Sequence, residues 1–283
     1  MTMRQRELGK TRVAIPVVGQ GTYLMEHDRA EDSIAAIRAG LDAGMTHIDT
    51  AELYGSGRVE ELVARAIEGR RDDVFLVSKV LPSNASHAGT VRACDKSLKR
   101  LRTDRLDLYL LHWTGHHPLA ETMAAFEELQ SAGKIRFFGV SNFDVSDLEE
   151  AVSIVGEGRI TCNQVLYHLE ERRIEHRVMA YCEAHGISVV GYSPFGQSHF
   201  VSERSAGYRV LVEIAKAHGA TPRQVALAFL VRRPSLFAIP KSSDRAHVLE
   251  NGKAGDLELR PDEIERIDAA FPVGKDRGFL PSN

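Results

Sequence analysis

The sequence has few cysteines and no long apolar run, and these shortages exclude several kinds of protein. Its three cysteines, Cys94, Cys162 and Cys182, lie far apart and form no CxxC pair. A disulfide framework or structural zinc site is therefore not expected, and reduced, buried thiols are typical of a cytoplasmic protein. No apolar stretch approaches the ~18 residues of a membrane-spanning helix. The first ten residues also lack the apolar core of a secretory signal.

Charge and histidine content exclude further functions. The formal net charge of −3 gives no overall attraction for nucleic acid or for a membrane surface. Twelve histidines are present, but none belongs to an HExxH or HxH pattern. His116 and His117 are adjacent, so their side chains diverge. We expect no metal site, no nucleic-acid partner and no membrane association.

The chain does contain a regular alternation of short apolar runs and helical patterns. A hairpin is expected around Gly9-Lys10, followed by a first strand at Gly19–Thr22. Seven further strands are predicted at Thr46–Ile48, Val74–Val80, Leu106–His112, Ile135–Val140, Ile160–Val165, Ser188–Tyr192 and Leu236–Pro240. Helical patterns follow them, and these cover Asp28–Ala43, Arg58–Glu68, Ala88–Leu101, Leu119–Ala132, Val145–Val155, Ile174–His185, Tyr208–His218, Pro222–Arg232, Arg245–Ala254 and Asp262–Ala270.

This alternation predicts an α/β protein, a single (β/α)8 TIM barrel over residues 1–283. The N-terminal hairpin is expected to cover its bottom, and extra helices to follow its last strand. An open doubly wound sheet is the main competitor and requires GxGxxG after its first strand. The segment there is GQGTYL, which lacks the third glycine. A barrel of this size is complete as a monomer.

In such barrels the active-site residues lie on the loops that follow the strands. The second strand ends at Asp49 and a glycine-bounded loop then carries Tyr54, while the next two strands end at Lys79 and His112. Each residue has an ordinary alternative: a helix cap, a loop tyrosine, a solvated lysine and a core histidine. Their convergence on one rim favours an active site.

Together these four residues permit acid catalysis on a carbonyl group. A free tyrosine titrates near pH ~10, and a neighbouring lysine cation lowers that value while Asp49 keeps Lys79 charged. Tyr54 can then donate a proton to a carbonyl oxygen that His112 orients. No serine or cysteine nucleophile lies beside an evident base, so a hydride from a cofactor is the natural complement.

The remaining strand exits offer groups that suit a nicotinamide dinucleotide. A cation and two hydroxyls stand at the start of a helix, which makes an anion site by charge and helix dipole: Lys241, Ser242 and Ser243. Tyr192 offers a flat face for stacking. Partners for an amide are Ser141, Asn142 and Gln164, although Ser141 is equally suited to capping the next helix.

The motifs DTAELYG, SKV, LLHW, GVSNF, NQV, GYSPFG and IPKSS occur in this order. In them the chain resembles the aldo-keto reductase superfamily, almost from end to end. The resemblance implies NADPH-dependent reduction of aldehydes or ketones to alcohols by direct hydride transfer. It implies a catalytic tetrad of Asp49, Tyr54, Lys79 and His112, with Tyr54 as general acid. The cofactor would bind in an extended form that needs no GxGxxG motif.

The resemblance also implies contacts along the whole cofactor. They are Thr22, Tyr23 and Asp49 at the ribose; Ser141, Asn142, Gln164 and Tyr192 at the nicotinamide; Ser193 and Phe195 at the pyrophosphate; Lys241, Ser242 and Ser243 at the 2′-phosphate; and His247, Glu250 and Asn251 at the adenine.

Two departures from the family pattern qualify these expectations. His247 stands where many relatives have an arginine that stacks on adenine and helps hold the phosphate. Histidine can stack but is mostly neutral at pH ~7, so a weaker preference for NADPH over NADH is expected, with Arg245 as a compensating cation. The tryptophan that usually follows the catalytic lysine is missing. The pocket for a small carbonyl substrate is therefore expected from Tyr23, Tyr54, Leu81, His112 and Trp113.

The segment after Phe271 is short, PVGKDRGFLPSN. Relatives that act on steroids build their pocket with long C-terminal loops, so a short segment favours an open site and small aldehydes. The chain is most similar to bacterial members that reduce methylglyoxal and related carbonyls. The alternative is a nicotinamide-binding sensor on the same fold with little turnover.

Overall fold

A computed structural model describes residues 3–197 and 200–281, so the predicted domain bounds themselves lie outside the described residues. Its central feature is a parallel sheet of eight strands in chain order. These strands are β3 (Gln20–Gly21), β4 (His47–Asp49), β5 (Phe75–Val80), β6 (Leu106–Leu111), β7 (Ile135–Ser141), β8 (Ile160–Leu166), β9 (Ser188–Tyr192) and β10 (Leu236–Ala238). A separate antiparallel hairpin pairs β1 (Gln5–Glu7) with β2 (Ala14–Pro16).

Helices alternate with these strands, as the sequence predicts. They are α1 (Ala30–Asp42), α2 (Arg58–Ala66), α3 (His87–Leu101), α4 (Leu119–Ser131), α5 (Val145–Val155), α6 (Val178–His185), α7 (Ala206–His218), α8 (Pro222–Leu230), α9 (Arg245–Ala254) and α10 (Pro261–Ala270). None of the helices in the described residues is long and apolar enough to span a membrane. The strand and helix order fits a (β/α)8 architecture, with α9 and α10 after the last strand.

Helix α6 begins four residues after its predicted start at Ile174. Residues Arg173–Glu175 form a separate 3-10 turn, and α6 starts only at Val178. The reason is the backbone at Arg177, which leaves the helical conformation with φ −133° directly before α6. The turn itself is held by the Arg172 guanidinium, which donates to Glu175 and to Asp268 of α10.

The two outer strands of the parallel sheet approach each other. The Gly19 amide donates to the carbonyl of Ala238 at 2.8 Å, and the Gly21 amide donates to that of Pro240 at 3.1 Å. Alternate side chains of a strand point to opposite faces. On β5, Phe75 and Val77 belong to one apolar cluster, whereas Leu76 and Val80 belong to another. Lys79 continues the first face.

The hairpin lies against the amino ends of the strands, away from the predicted site. The Gly9 amide donates to Ser188 Oγ, at the start of β9, at 2.7 Å. Arg6 donates to the carbonyl of Val231, at the end of α8, at 2.8 Å. Leu8 is fully buried. The carboxyl ends of the strands are left to the loops that carry the predicted catalytic residues.

A buried carboxylate ties the helix after Tyr54 to the strand that carries Lys79. Glu60 on α2 accepts a hydrogen bond from Ser78 Oγ on β5 at 2.6 Å and from Arg100 Nε on α3 at 2.5 Å. Its side chain has no exposed area. Because Ser78 precedes Lys79, this contact fixes the two elements that meet at the site.

Candidate active site

A tight turn after β4 delivers Tyr54. Gly55 and Gly57 have φ values of +56° and +91°, a region that favours glycine. At Gly57 a β-carbon would also lie 2.5 Å from the side chain of Arg100. The turn folds the phenol back over the strand ends, where Tyr54 is only 8% exposed. Gly55 and Gly57, the glycines that bound the loop, therefore let the backbone turn tightly enough to place Tyr54 at the site.

Lys79 lies at the centre of the site and is fully buried. Its Nζ is 2.6 Å from Asp49 Oδ1, 2.9 Å from the carbonyl oxygen of Thr50 and 3.2 Å from the Tyr54 hydroxyl. These contacts use all three ammonium donors. Burial lowers the Lys79 pKa, but Asp49 and Tyr54 outweigh that effect and raise it above its ordinary value. The lysine is therefore charged, as predicted.

The prediction that Tyr54 has a lowered pKa is wrong for this structure. Burial raises the pKa of the phenol, and the nearby charge of Lys79 offsets only part of this rise. Taking the hydroxyl out of water disfavours its ionised form more than one cation favours it. Tyr54 is therefore fully protonated at neutral pH, which is the state that a proton donor needs.

His112 completes the group of four. Its ring centroid is 5.9 Å from that of Tyr54, and the two rings are nearly perpendicular. Burial and the charge of Lys79 lower the pKa of His112 to about 3. Its Nδ1 is buried and has no hydrogen-bond partner within the part of the chain that the structure describes. The imidazole is therefore neutral at pH ~7 and can donate one hydrogen bond.

A chain of hydrogen bonds leads from the tetrad along the neighbouring strand ends. Gln164 Nε2 donates to Asp49 Oδ2 at 2.7 Å, and Ser141 Oγ donates to the Gln164 carbonyl at 2.9 Å. Asn142 Nδ2 donates to Ser141 Oγ at 3.1 Å, and the Tyr192 hydroxyl donates to Asn142 Oδ1 at 2.9 Å. The structure thus brings together the residues predicted to hold an amide.

Ser141 does not cap the next helix. The cap of α5 is Asp144, which forms a capping box with Asp147. The structural alternative for Ser141 is thereby removed. Asn142 adopts a left-handed conformation, with φ +59°. Its side-chain amide also donates to the carbonyl of His112 at 3.0 Å, so it connects two strand exits.

Large apolar side chains line the opening of the site, which we call the mouth, beside Tyr54 and His112. Tyr23 and Trp113 are 44% and 39% exposed. Their rings lie 5.2 Å from Tyr54 and 4.7 Å from His112, between centroids. Leu81 is half-buried, and its amide donates to Glu52 at 2.7 Å, a contact that sequence reasoning missed.

Three other predicted cofactor residues lie further along the rim. Thr22 is fully buried, and its Oγ1 donates to the carbonyl of Asp49 at 2.9 Å. Phe195 packs against Phe200, with 5.6 Å between ring centroids, and lies under the guanidinium of Arg223. Between Tyr192 and Phe195, Ser193 has a φ of +50°.

The predicted phosphate end contains a partner that the sequence did not suggest. Lys241 Nζ and Ser243 Oγ both donate to the same oxygen of Asp28, Ser243 at 2.6 Å. Burial raises the Asp28 pKa, but these hydrogen bonds outweigh it and hold the pKa below its ordinary value. The contact joins residues more than two hundred positions apart, so no local pattern signals it. α1 begins at Ala30, two residues after the predicted start at Asp28, because the backbone of Asp28 and Arg29 is extended.

At the start of α9, two of the backbone amides that could bind an anion are already hydrogen-bonded within the chain. Asp244 Oδ1 accepts from the amides of Ala246 at 2.7 Å and His247 at 3.1 Å. These two amides of the first turn are therefore satisfied by the chain's own carboxylate. Ser242 takes part in the same turn, where its Oγ accepts from the Asp244 amide at 3.1 Å.

The residues predicted at the adenine are spread along α9. His247 is exposed, and Asn251 is buried. Glu250 accepts from Thr221 Oγ1 at 2.6 Å, and its carbonyl accepts from Gln224 at 2.9 Å. The carboxylate of Glu250 therefore contacts the start of α8.

Comparison with known proteins agrees with the geometry. The sequence model of the Aldo/keto reductase family matches residues 18–271. The chain belongs to this family. It is therefore a nicotinamide-dependent oxidoreductase, and the predicted family and enzyme class are confirmed.

Individual relatives cover almost the whole chain. Methylglyoxal reductase YeaE of Escherichia coli is 43% identical over 270 residues, which is 95% of each chain. Glyoxal reductase of Bacillus subtilis is 32% identical over 91% of this chain and 89% of its own. A crystal structure of an aldo/keto reductase from Klebsiella pneumoniae, in complex with NADP and acetate, is 40% identical and superposes with a TM-score of 0.92 over 100% of both chains.

The buried histidines generate a pH prediction. Burial lowers the pKa of His47 to about 4 and that of His112 to about 3, from an ordinary 6.5. Between pH 6.5 and 4, the unfolded chain binds protons at both rings that the folded chain does not bind. The free energy of unfolding should therefore fall as the pH is lowered through this range.

Titration of the histidine ring resonances by NMR provides the measurement, with the urea-unfolded chain as the reference. Both rings should remain neutral at pH 5 in the folded chain, with the assignments made from His47→Gln and His112→Gln. Protonation of His112 near the reference midpoint would contradict the buried, neutral imidazole.

Proposed function

We propose that this chain is a single closed (β/α)8 domain that reduces small aldehydes and ketones, such as methylglyoxal, with Tyr54 as the proton donor. The observation that carries the proposal is the position of Lys79 Nζ, which contacts both Asp49 and the Tyr54 hydroxyl. The hydrogen bonds between the outer strands support a closed barrel. The names of two relatives, a methylglyoxal reductase and a glyoxal reductase, support a small dicarbonyl substrate.

The cofactor of this reaction is NADPH, and the donor groups of the chain fit it. Lys241 and Ser243 already hold a carboxylate oxygen, so they are able to hold an anion. Asn142 and Gln164 are joined by hydrogen bonds through Ser141. The carboxamide of the cofactor can replace some of these hydrogen bonds with its own. Similar chains have been solved with NADP and with NADPH. When bound, the cofactor supplies the hydride that adds to the carbonyl carbon.

The residues of the chain perform the proton transfer. Lys79 donates to the Tyr54 oxygen, so the phenolic proton remains available for the substrate. As that proton moves to the carbonyl oxygen, negative charge develops on Tyr54, and the Lys79 ammonium at 3.2 Å stabilises it. Asp49 keeps the ammonium charged and in place. A neutral His112 donates a hydrogen bond to the same carbonyl oxygen and orients it.

The walls of the mouth favour a small substrate. The exposed rings of Tyr23 and Trp113 stand beside Tyr54 and His112. Leu81, two residues after Lys79, adds a half-buried aliphatic side chain. These side chains can exclude water from a two- or three-carbon carbonyl compound, while leaving the rim open to solvent.

The Tyr54→Phe substitution removes the proposed acid and retains the ring. Turnover of methylglyoxal should fall by about a hundredfold or more, because no other group replaces the proton donor. The Kd for NADPH should change little, since the hydroxyl is not a cofactor ligand. Tyr109→Phe is the matched control, because it removes another buried hydroxyl and should leave turnover unchanged. Wild-type turnover in Tyr54→Phe would exclude this residue as the acid.

Substitution of Lys241 tests the assignment of the 2′-phosphate. Lys241→Ala removes a charge-assisted contact, so the Kd for NADPH should rise by about tenfold or more. The Kd for NADH, which lacks the phosphate, should rise much less. Isothermal titration calorimetry with both cofactors provides the two values. Equal losses of affinity would show that Lys241 does not bind the phosphate.

A further inference from the structure

Asp28 occupies the groups that the proposed function assigns to the 2′-phosphate. One oxygen of its carboxylate accepts hydrogen bonds from both Lys241 Nζ and Ser243 Oγ, and Ser33 Oγ donates in turn to Ser243 Oγ at 3.1 Å. A cation and a hydroxyl that converge on one anionic oxygen are the contacts expected for a phosphate oxygen. The carboxylate and a bound phosphate therefore compete for the same donors.

The Asp28 contact is not needed to hold its segment in place. Asp28 follows a 3-10 turn, Met25–His27. Met25 anchors this turn in the core, where its side chain is 1% exposed. Before the turn, the Thr22 hydroxyl donates a hydrogen bond to the Asp49 carbonyl. The side chains of Asp28 and Lys241 are about one-third exposed, at 33% and 31%. An ion pair with that exposure contributes little to folding, and its carboxylate can move into solvent.

The surrounding cavity has no excess of positive charge while Asp28 is ionised. It has a volume of about 600 Å³, and its charged lining comprises three cations and three carboxylates: Arg29, Lys241, Arg245, Asp28, Asp32 and Asp244. A phosphate ester carries a charge of about −1.5 to −2 at neutral pH. The phosphate therefore enters a site whose net formal charge is zero. When the Asp28 carboxylate leaves, the site has a net positive charge, which attracts the phosphate.

We propose that Asp28 determines the selectivity between NADPH and NADH by competing with the 2′-phosphate for Lys241 and Ser243. The inference depends on the proposed function, which places that phosphate on Lys241. NADPH binds only after the carboxylate has left these donors, and this requirement weakens its apparent affinity. NADH carries a 2′-hydroxyl instead, for which a carboxylate is a suitable acceptor. Asp28 therefore reduces the difference in affinity between NADPH and NADH.

The test compares two carboxylates of the same cavity. Asp28→Asn keeps the shape and removes the competing charge. Asp32→Asn is the matched control, because Asp32 lines the cavity and pairs only distantly with Arg29, at 3.7 Å. Calorimetry at fixed pH and ionic strength measures Kd for NADPH, NADH, 2′,5′-ADP and 5′-ADP. The two adenosine nucleotides differ by the 2′-phosphate and report on this end without turnover.

For Asp28→Asn we expect NADPH and 2′,5′-ADP to bind about fivefold more tightly or better. NADH and 5′-ADP should bind with unchanged or lower affinity. Asp32→Asn should change each Kd by less than about twofold, because long-range charge effects are screened by salt. In a Lys241→Ala background, Asp28→Asn should give a clearly smaller selective gain, since Ser243 is then the only one of the two contested donors that remains. Circular dichroism confirms that each variant is folded.

Three results would overturn the inference. These are an unchanged ratio of NADPH to NADH affinity in Asp28→Asn, weaker binding of NADPH by that variant, or an equal gain in Asp32→Asn. If Lys241→Ala still lowers NADPH affinity selectively, only the role of Asp28 fails. If neither the wild type nor Asp28→Asn distinguishes 2′,5′-ADP from 5′-ADP, the phosphate assignment itself is wrong and the role of Asp28 fails with it.

Discussion

The buried ion pair of Lys79 and Asp49 is the contact on which the rest of the site depends. Both side chains are buried, with exposures of 0% and 1%, and either charge alone at that depth would cost several kcal/mol. The parallel register of β4 and β5 sets Asp49 opposite Val77. Lys79 is two residues after Val77 on β5 and therefore lies beyond the end of β4. From there its side chain contacts both Asp49 and Tyr54. The same ion pair therefore stabilises the strand ends and positions the proposed proton donor.

The electrostatics of the site follow from the same pair. The charge on Lys79 counteracts the burial that raises the Tyr54 pKa, and it helps to keep His112 neutral. The second oxygen of Asp49 accepts from Gln164 and so begins the polar chain along the strand ends. An acid that is protonated at rest and has a cation ready for its phenolate suits the reduction of a carbonyl.

Much of this arrangement could be predicted from the sequence, since parallel strands end on one rim and the polar residues at those ends must meet there. Local pattern also sufficed for the hairpin and for the glycines of the Tyr54 turn. It failed for Asp28, whose contact with Lys241 spans most of the chain, and for the sign of the Tyr54 pKa shift, which depends on burial. The Asp244 cap was visible as an Asp before a helix but was overlooked.

The tetrad and the proposed phosphate site at Lys241 differ in whether their groups are available to a ligand. At the tetrad, the hydrogen bonds that the proposed mechanism uses are already formed, whereas at Lys241 a carboxylate of the chain occupies the donors. We propose that the tetrad reduces carbonyl compounds, so that the protein does more than bind a nucleotide. The most direct measurement is the oxidation of NADPH by the wild-type protein with methylglyoxal. We predict stoichiometric formation of a hydroxy-carbonyl product, and tight NADPH binding without turnover on any small aldehyde or ketone would contradict the account.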